Sequence, residues 1–142
     1  MRISDLLRDK GSAVATVSPT TSVTELLRVL SEYNIGATVV TEADNVVGIV
    51  SERDIVRRLH ERGAELLSAP VGEIMTRNVV TCTPADSVDS LASTMTERRI
   101  RHMPVVSDGQ LVGIVSIGDV VKSRISQLET DREQLESYIS HG

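Results

Sequence analysis

Val47-Gly-Ile-Val-Ser-Glu-Arg-Asp54 and Val112-Gly-Ile-Val-Ser-Ile-Gly-Asp119 are two copies of one eight-residue pattern, 65 positions apart. The similarity extends further, because residues 17–56 align without a gap on residues 82–121 and 14 of the 40 aligned pairs are identical. A repeat of this length holds several secondary elements and is longer than most solenoid units. Two such units in 142 residues predict a body with pseudo-twofold symmetry, in which the duplicated loops face one another.

Each copy shows the pattern helix, strand, strand, helix. The first copy predicts a helix that begins with a Ser22/Glu25 capping box and stops at Ile35-Gly36, strands over 38–41 and 46–50, and a helix from Ser51 to about His60. The second copy predicts a helix over 87–97, strands over 103–106 and 111–115, and a helix from Ser116. The second strand of each pair is continuously apolar, as buried strands are.

The repeat unit sets the expected domain organisation. We expect a first domain over residues 1–66, a second over 67–124 and an amphipathic C-terminal helix over 125–142, with a linker at 62–70. The apolar residues of the C-terminal helix follow near-heptad spacing, which Arg132 interrupts: Ile125, Leu128, Leu135 and Ile139. A lone helix of this kind needs a surface to cover, so we expect a homodimer to which it contributes. The alternative is that it packs back on its own domain.

Composition excludes several classes of function. The net charge of −5 and the near absence of aromatic residues, two Tyr with no Trp or Phe, argue against broad nucleic-acid binding. No apolar run approaches the ~20 residues of a membrane span or forms a secretory leader. Cys82 has no partner for a disulfide, and no Cys/His cluster has metal-site spacing. We therefore expect a cytoplasmic protein with no membrane, nucleic-acid or metal partner.

The repeated Ser-x-x-Asp has two compatible interpretations. Ser51 and Ser116 followed by Asp54 and Asp119 are ordinary helix-start chemistry, with the Ser as N-cap. The same arrangement delivers a helix N-terminus whose N–H groups can meet a phosphate. The carboxylate beside it can accept hydrogen bonds from the two hydroxyls of a ribose. The pattern therefore indicates capping, nucleotide binding, or both.

The duplicated βαββα pattern, Gly-Ile-Val-Ser-x-x-Asp and Ile100-Arg-His-Met-Pro-Val105 together resemble the cystathionine-β-synthase (CBS) domain family. The resemblance covers about residues 3–124, and two copies resemble a Bateman module. It implies an α/β (α+β) fold of two repeats related by a pseudo-twofold axis, followed by the C-terminal helix. It also implies binding of an adenosine-containing ligand such as AMP, ADP, ATP, NAD or S-adenosylmethionine in the cleft between the repeats, and regulation of an attached or partner protein.

The resemblance carries roles onto individual residues. Asp54 and Asp119 match the family's ribose-binding Asp, and Ser51 and Ser116 match its hydroxyl near the phosphates. Thr16-Val17 and Thr81-Cys82 match the family's stretch that frames the base. Ile35–Ala37 and Ile100–Pro104 match its loop that lines the site. With Arg53 and Gly118, which occupy one aligned position, the candidate ligand-binding residues are Thr16, Val17, Ile35, Gly36, Ala37, Ser51, Arg53, Asp54, Thr81, Cys82, Ile100, Arg101, His102, Met103, Pro104, Ser116, Gly118 and Asp119.

The two copies differ in charge where a ligand would bind. Arg98, Arg99, Arg101 and His102 stand where the first copy has Tyr33, Asn34, Gly36 and Ala37. Cations at a helix C-terminus are also ordinary, which is the simpler interpretation for Arg98. Arg101 and His102 lie past the helix and are better placed to bind an anion, so we expect one strong phosphate site. An adenine would lie between aliphatic side chains such as Val, Ile or Met103. Cys82 is expected to be a packed thiol, and its place in the base-framing segment leaves a ligand contact open.

These observations predict a sensor that binds an adenine nucleotide as a regulatory ligand, needs no cofactor and signals to an unidentified partner protein. Catalysis is not expected, because no nucleophile has an orienting partner and the common nucleotide-hydrolysis and metalloprotease motifs are missing. His102 could still act as a general base or a pH sensor. A protein whose clefts stay empty, and which acts through its helical faces and C-terminal helix, is the alternative.

Overall fold

The structure, a computed structural model, describes residues 1–11 and 13–141. Its elements are α1 (Ile3–Lys10), β1 (Thr16–Val17), α2 (Val23–Tyr33), β2 (Ala37–Glu42), β3 (Asn45–Ser51), α3 (Glu52–Arg62), α4 (Val88–Arg98), β4 (His102–Ser107), β5 (Gln110–Ser116) and α5 (Ile117–His141). Two short 3₁₀ helices, Gly63–Ser68 and Val71–Glu73, lie between α3 and α4. The α/β fold with two repeats and a C-terminal helix is confirmed.

The two sheets carry the repeat down to their irregularities. In the first repeat β1 pairs in parallel with β2, which pairs antiparallel with β3. In the second repeat β4 pairs antiparallel with β5, and Cys82 makes a parallel bridge to Val105 where the first repeat has β1. The register of each hairpin shifts at one place, Val40/Thr41 in the first and Val105/Val106 in the second. These positions are equivalent after the shift of 65 residues, so the two hairpins have the same backbone geometry.

The ends of α2 correct two predictions. The predicted stop at Ile35-Gly36 is wrong: α2 ends at Tyr33, and Asn34 adopts the left-handed conformation that closes a helix. The Ile35 N–H then donates to the Leu30 carbonyl at 3.0 Å. The Ser22/Glu25 capping box is only half formed. Ser22 Oγ accepts the Glu25 N–H at 3.1 Å, but the Glu25 carboxylate binds Arg28 instead of turning back.

Each repeat has its own apolar core, and the segments that precede the repeats are exchanged between the cores. Helix α1 precedes the first repeat but buries Ile3, Leu6 and Leu7 in the core of the second. The segment that precedes the second repeat, which includes both 3₁₀ helices and the residues after them, buries Leu66, Val71, Ile74 and Met75 in the core of the first. Because each repeat completes its core with chain from beyond its own boundary, the two repeats are tied together.

The predicted linker at 62–70 joins the two repeats and also packs on the first core. Leu66 is fully buried, and Ala69 accepts a backbone hydrogen bond from Val23 at 2.9 Å. The Val71 N–H donates to the Thr21 carbonyl at 2.7 Å. Residues 66–71 therefore form an edge of the first repeat. The boundaries at 66/67 and 124/125 stay predictions about the sequence.

Helix α5 continues without a break from the second repeat into the C-terminal segment. Its 25 residues give a rod of about 37 Å, of which the apolar residues beyond Ile125 are exposed. Within residues 1–11 and 13–141, this segment therefore does not pack back on its own domain. Among the described helices, none combines the length and the apolar character needed to cross a membrane.

A pair of neighbouring leucines tests whether the 3₁₀ segment belongs to the first core. Leu66 is 0% exposed and Leu67 is 38% exposed. Leu66→Ala should lower the free energy of unfolding by about 2–5 kcal/mol, because it leaves a cavity in a packed core. Leu67→Ala, the matched control, should cost about 1 kcal/mol or less. Urea denaturation of both variants measures the difference, and equal losses would contradict the packing of this segment in the first core.

Candidate functional site

The first Ser-x-x-Asp forms a complete capping box at the start of α3. Asp54 Oδ2 accepts from the Ser51 N–H at 2.9 Å and from the Ser51 hydroxyl at 3.1 Å, while Ser51 Oγ accepts from the Asp54 N–H at 3.4 Å. The capping interpretation is therefore correct. It does not exhaust the carboxylate, because among the described residues no hydrogen bond reaches Asp54 Oδ1.

A cleft of about 710 Å³ opens beside this helix start and draws its walls from both repeats. The first repeat supplies the end of β3 and the first turns of α3. The second repeat supplies the segment before Thr81 and the loop from α4 into β4. The lining residues are Gly36, Ala37, Ile49, Ser51, Glu52, Arg53, Asp54, Val56, Arg57, Thr76, Asn78, Val79, Val80, Arg99, Ile100, Arg101 and His102. This volume suits a small organic ligand such as a nucleotide.

The structure divides the candidate residues into three groups. Eight of them line the cleft: Gly36, Ala37, Ser51, Arg53, Asp54, Ile100, Arg101 and His102. Three line a smaller hollow of about 320 Å³ beside α4: Thr81, Cys82 and Met103. Seven line neither of these two hollows: Thr16, Val17, Ile35, Pro104, Ser116, Gly118 and Asp119. The first cleft thus brings together the helix start of one repeat and the loop of the other.

Two of the apolar candidates, Met103 and Cys82, lie in the core of the second repeat. Met103 is 1% exposed in the second core and does not line the main cleft. The apolar lining comes instead from Ile49, Val56 and Ile100 with their neighbours. Cys82 is buried, as predicted for a packed thiol. Burial, with a smaller effect of the nearby Asp86 charge, raises the pKa of the Cys82 thiol to about 12.

The second Ser-x-x-Asp has the same capping box but a different neighbour. Asp119 Oδ2 accepts from the Ser116 N–H at 2.8 Å and from its hydroxyl at 2.9 Å. The ammonium group of Lys10 adds a third contact to the same oxygen at 2.5 Å, and it also donates to the Ile114 carbonyl at 2.7 Å. Burial opposes ionisation of Asp119, but the Lys10 bond and the Ser116 N–H outweigh it and hold the pKa of Asp119 below 3.8.

Lys10 has an identifiable counterpart in the first cleft. A Cβ added to Gly113 would meet Leu7, and one added to Gly48 would meet Met75. Leu7 and Met75 therefore occupy equivalent places, 68 positions apart, and the same offset sets Lys10 against Asn78. Asn78 lines the open cleft and brings no charge. The Ile49 carbonyl, equivalent to that of Ile114, accepts the Thr76 N–H at 2.8 Å instead of a lysine.

The open cleft is rich in cations although the whole chain carries a net charge of −5. Its lining includes four arginines against two carboxylates: Arg53, Arg57, Arg99 and Arg101 against Glu52 and Asp54. Arginine forks bind phosphate through paired N–H groups and keep their charge at any physiological pH. The cleft is therefore suited to an anionic ligand that also has hydroxyl groups for Asp54.

His102 lies where the two repeats meet and stands at the position of Ala37 in the first repeat. Its ring would be 3.6 Å from a Cβ added to Gly36, so His102 of the second repeat contacts the loop before β2 of the first. Burial first, and then the positive charge of Lys10, lower the pKa of His102 below 6.5, against the opposing pull of Asp119 and Glu52. The imidazole is therefore neutral near pH 7, and a role as a pH sensor would require acid conditions.

Sequence reasoning missed part of the site. Thr76, Asn78, Val79 and Val80 line the cleft from the segment before the predicted base-framing residues. Lys10 was missed because the segments that precede the repeats align at an offset of 68 and not 65. On α3, Val56 and Arg57 could have been found, because they lie three and four residues beyond Arg53 on one helix face.

Comparison with known proteins gives a consistent family. The model of the CBS domain matches residues 3–61 and 71–126. A mitochondrial CBS domain-containing protein of Arabidopsis thaliana, CBSX3, is 34% identical over 151 aligned positions, which cover 99% of this chain and 72% of that protein.

Solved structures agree. A CBS-domain containing protein from Agrobacterium tumefaciens superposes with a TM-score of 0.84 at 46% identity, covering 87% of this chain and 99% of that chain. The CBS domain pair of the protein MJ0100 superposes with a TM-score of 0.79 at 28% identity, covering 89% of this chain and 98% of that one. That structure was solved in complex with 5′-methylthioadenosine and S-adenosyl-L-methionine.

Proposed function

Because the chain belongs to the CBS domain family, we propose that it is a regulatory module that binds an adenosine-containing ligand in the cleft bounded by Ser51, Asp54 and Arg101. The observation that carries the proposal is the carboxylate of Asp54, which stands at a helix N-terminus and opens onto a cation-lined cleft of about 710 Å³. The complex of the MJ0100 domain pair with two adenosine derivatives supports the class of ligand.

Each part of such a ligand has a matching group. The ribose hydroxyls would donate to Asp54, whose Oδ1 accepts nothing from the described residues. The phosphates would meet Arg101 and the arginines near it. The base would lie among Ile49, Val56 and Ile100. This arrangement favours AMP, ADP, ATP or NAD over S-adenosylmethionine, because four arginines attract phosphate and repel a sulfonium cation.

We assign the nucleotide to the Asp54 cleft and not to its counterpart at Asp119. Lys10 already forms an ion pair with Asp119 at 2.5 Å. The second repeat has Gly118 where the first has Arg53, and Asp119 lines neither of the two hollows. The Asp54 cleft therefore combines a carboxylate with arginines, whereas Asp119 is paired with a lysine of its own chain.

The bound state would be reported to a partner protein. The match of the CBS model ends at residue 126, and α5 continues to His141 as an exposed helix. The exposed helix also favours the second candidate function, an assembly protein that acts without a ligand. Ligand binding distinguishes the two, since the second candidate predicts no response to nucleotides. We propose no catalytic step for this chain, and a cytoplasmic location stays a prediction from the sequence.

Thermal unfolding tests the ligand and the cleft together. AMP at ~100 times its dissociation constant should stabilise the wild type by about 2.7 kcal/mol, which raises the melting temperature by several degrees. Asp54→Asn should remove most of this shift, because with the cap intact the NH2 group replaces Oδ1 and cannot accept a ribose O–H. Asp119→Asn, the matched control, should keep it. No shift with AMP, ADP, ATP or NAD in ligand-free protein would refute the proposed function, and equal losses in both variants would refute the choice of cleft.

Arg101 can be tested through the phosphate alone. Arg101→Ala should weaken AMP about tenfold or more while adenosine binds as before, because a charge-assisted hydrogen bond contributes roughly 1.5–3 kcal/mol. Arg98→Ala is the control, since Arg98 lies outside the main cleft and lines the smaller hollow. Titration calorimetry with both ligands decides the matter. If Arg101→Ala binds AMP as tightly as Arg98→Ala does, the phosphate lies elsewhere.

A further inference from the structure

The exposed part of α5 carries a heptad pattern in which Arg132 is the one polar residue. From Val121 onward, every third or fourth residue forms one seam along the helix: Val121, Ile125, Leu128, Arg132, Leu135 and Ile139. The spacing alternates strictly between four and three residues. This 3.5-residue period is the mark of a helix that winds around another helix.

The seam is exposed in the single chain. Val121, Ile125, Leu128, Leu135 and Ile139 are between 50% and 70% exposed. The rest of the helix surface beyond Ser123 is mostly charged or polar, so these side chains form a stripe that water alone covers. Exposing five large aliphatic side chains in register is costly in water, and a matching seam would remove that cost.

The residues of the seam indicate how many helices pair and in which register. In heptad terms, Ile125 and Ile139 occupy a positions, and Val121, Leu128 and Leu135 occupy d positions. In parallel coiled coils, isoleucine at a with leucine at d favours two strands. Arg132, the polar residue at the middle a position, is the kind of residue that fixes register and strand number at a cost in stability.

One pair of flanking charges favours a second copy in parallel register. Arg124 at a g position would face Glu129 at the e position of the second helix, which is an attractive pair. Arg124 also holds Asp89 of its own chain at 2.8 Å through one terminal nitrogen, and its other N–H groups can serve Glu129. Asp131 at a g position would face Glu136 at the e position of the second helix. Arg132, paired at 3.0 Å with Glu136 of its own helix, would lie between them and offset their repulsion.

The antiparallel arrangement is less favourable. With the same apolar overlap it would set Arg132 against Leu128 of the second helix. It would also bring each Glu129 against its own copy and each Asp131 against its own copy, which places like charges together. We propose that residues 121–139 of two copies of this chain form a parallel, in-register two-stranded coiled coil that holds two ligand-binding bodies at the same end of the assembly. This assembly does not depend on the proposed ligand.

Disulfide trapping in the full-length protein tests the pairing. Leu135→Cys at a d position should form a covalent dimer under mild oxidation, because a parallel in-register seam places the two thiols side by side. Ser137→Cys, two residues away at an outward f position, is the control and should stay largely monomeric. Cys82 is buried and gives little background. Both substituted positions are exposed, so neither variant should fail to fold.

Two results would overturn the proposal. One is equal cross-linking of Leu135→Cys and Ser137→Cys. The other is a mixture in which Ile125→Cys and Leu135→Cys cross-link to each other more than Leu135→Cys does to itself, which indicates antiparallel helices. As a second measurement, Arg132→Leu should tighten dimerisation by roughly tenfold or more in sedimentation equilibrium, whereas Thr130→Leu at an f position should not. An unchanged dissociation constant for Arg132→Leu would also contradict the seam.

Discussion

The exchange of the segments before the repeats is the constraint on which the rest of the molecule depends. Ile3, Leu6 and Leu7 complete the second core, and Leu66 and Val71 complete the first. Neither repeat can bury its apolar surface with its own chain alone, so the two fold as one body. The exchange also fixes where the chain emerges after each inserted segment, since Lys10 comes out beside Asp119 and Asn78 comes out in the cleft of Asp54.

A duplicated sequence thus becomes an asymmetric pair of sites. Both aspartates cap a helix through the same three hydrogen bonds with a serine, so the local chemistry of the repeats is alike. Their surroundings differ in whether the neighbouring positive charge is already paired with the aspartate. Four arginines surround the opening beside Asp54, while the lysine that meets Asp119 is spent on an internal ion pair. Capping and ligand binding are compatible at Asp54 because the cap uses one carboxylate oxygen only.

The sequence predicted the repeat, the order of elements and the helix starts, because these depend on local periodicity and on side chains near in the chain. It failed where distant segments meet. The burial of Leu66, within residues 62–70, and of Met103 depends on contacts with segments distant in the chain, which a local pattern does not show. The helix stop at Asn34 was missed because a non-glycine residue adopts the left-handed conformation there. Lys10 was missed because the segments before the repeats align at an offset of 68 residues, whereas the repeats themselves align at 65.

The stoichiometry of AMP binding, measured by equilibrium dialysis on the wild type and on Asn78→Lys, tests the central claim most directly. The account predicts one AMP for each wild-type chain. It predicts that Asn78→Lys loses this site, because a lysine at 78 would form an ion pair with Asp54, as Lys10 does with Asp119, and would occupy part of the cleft. Two AMP molecules for each wild-type chain, or undiminished binding in Asn78→Lys, would contradict it.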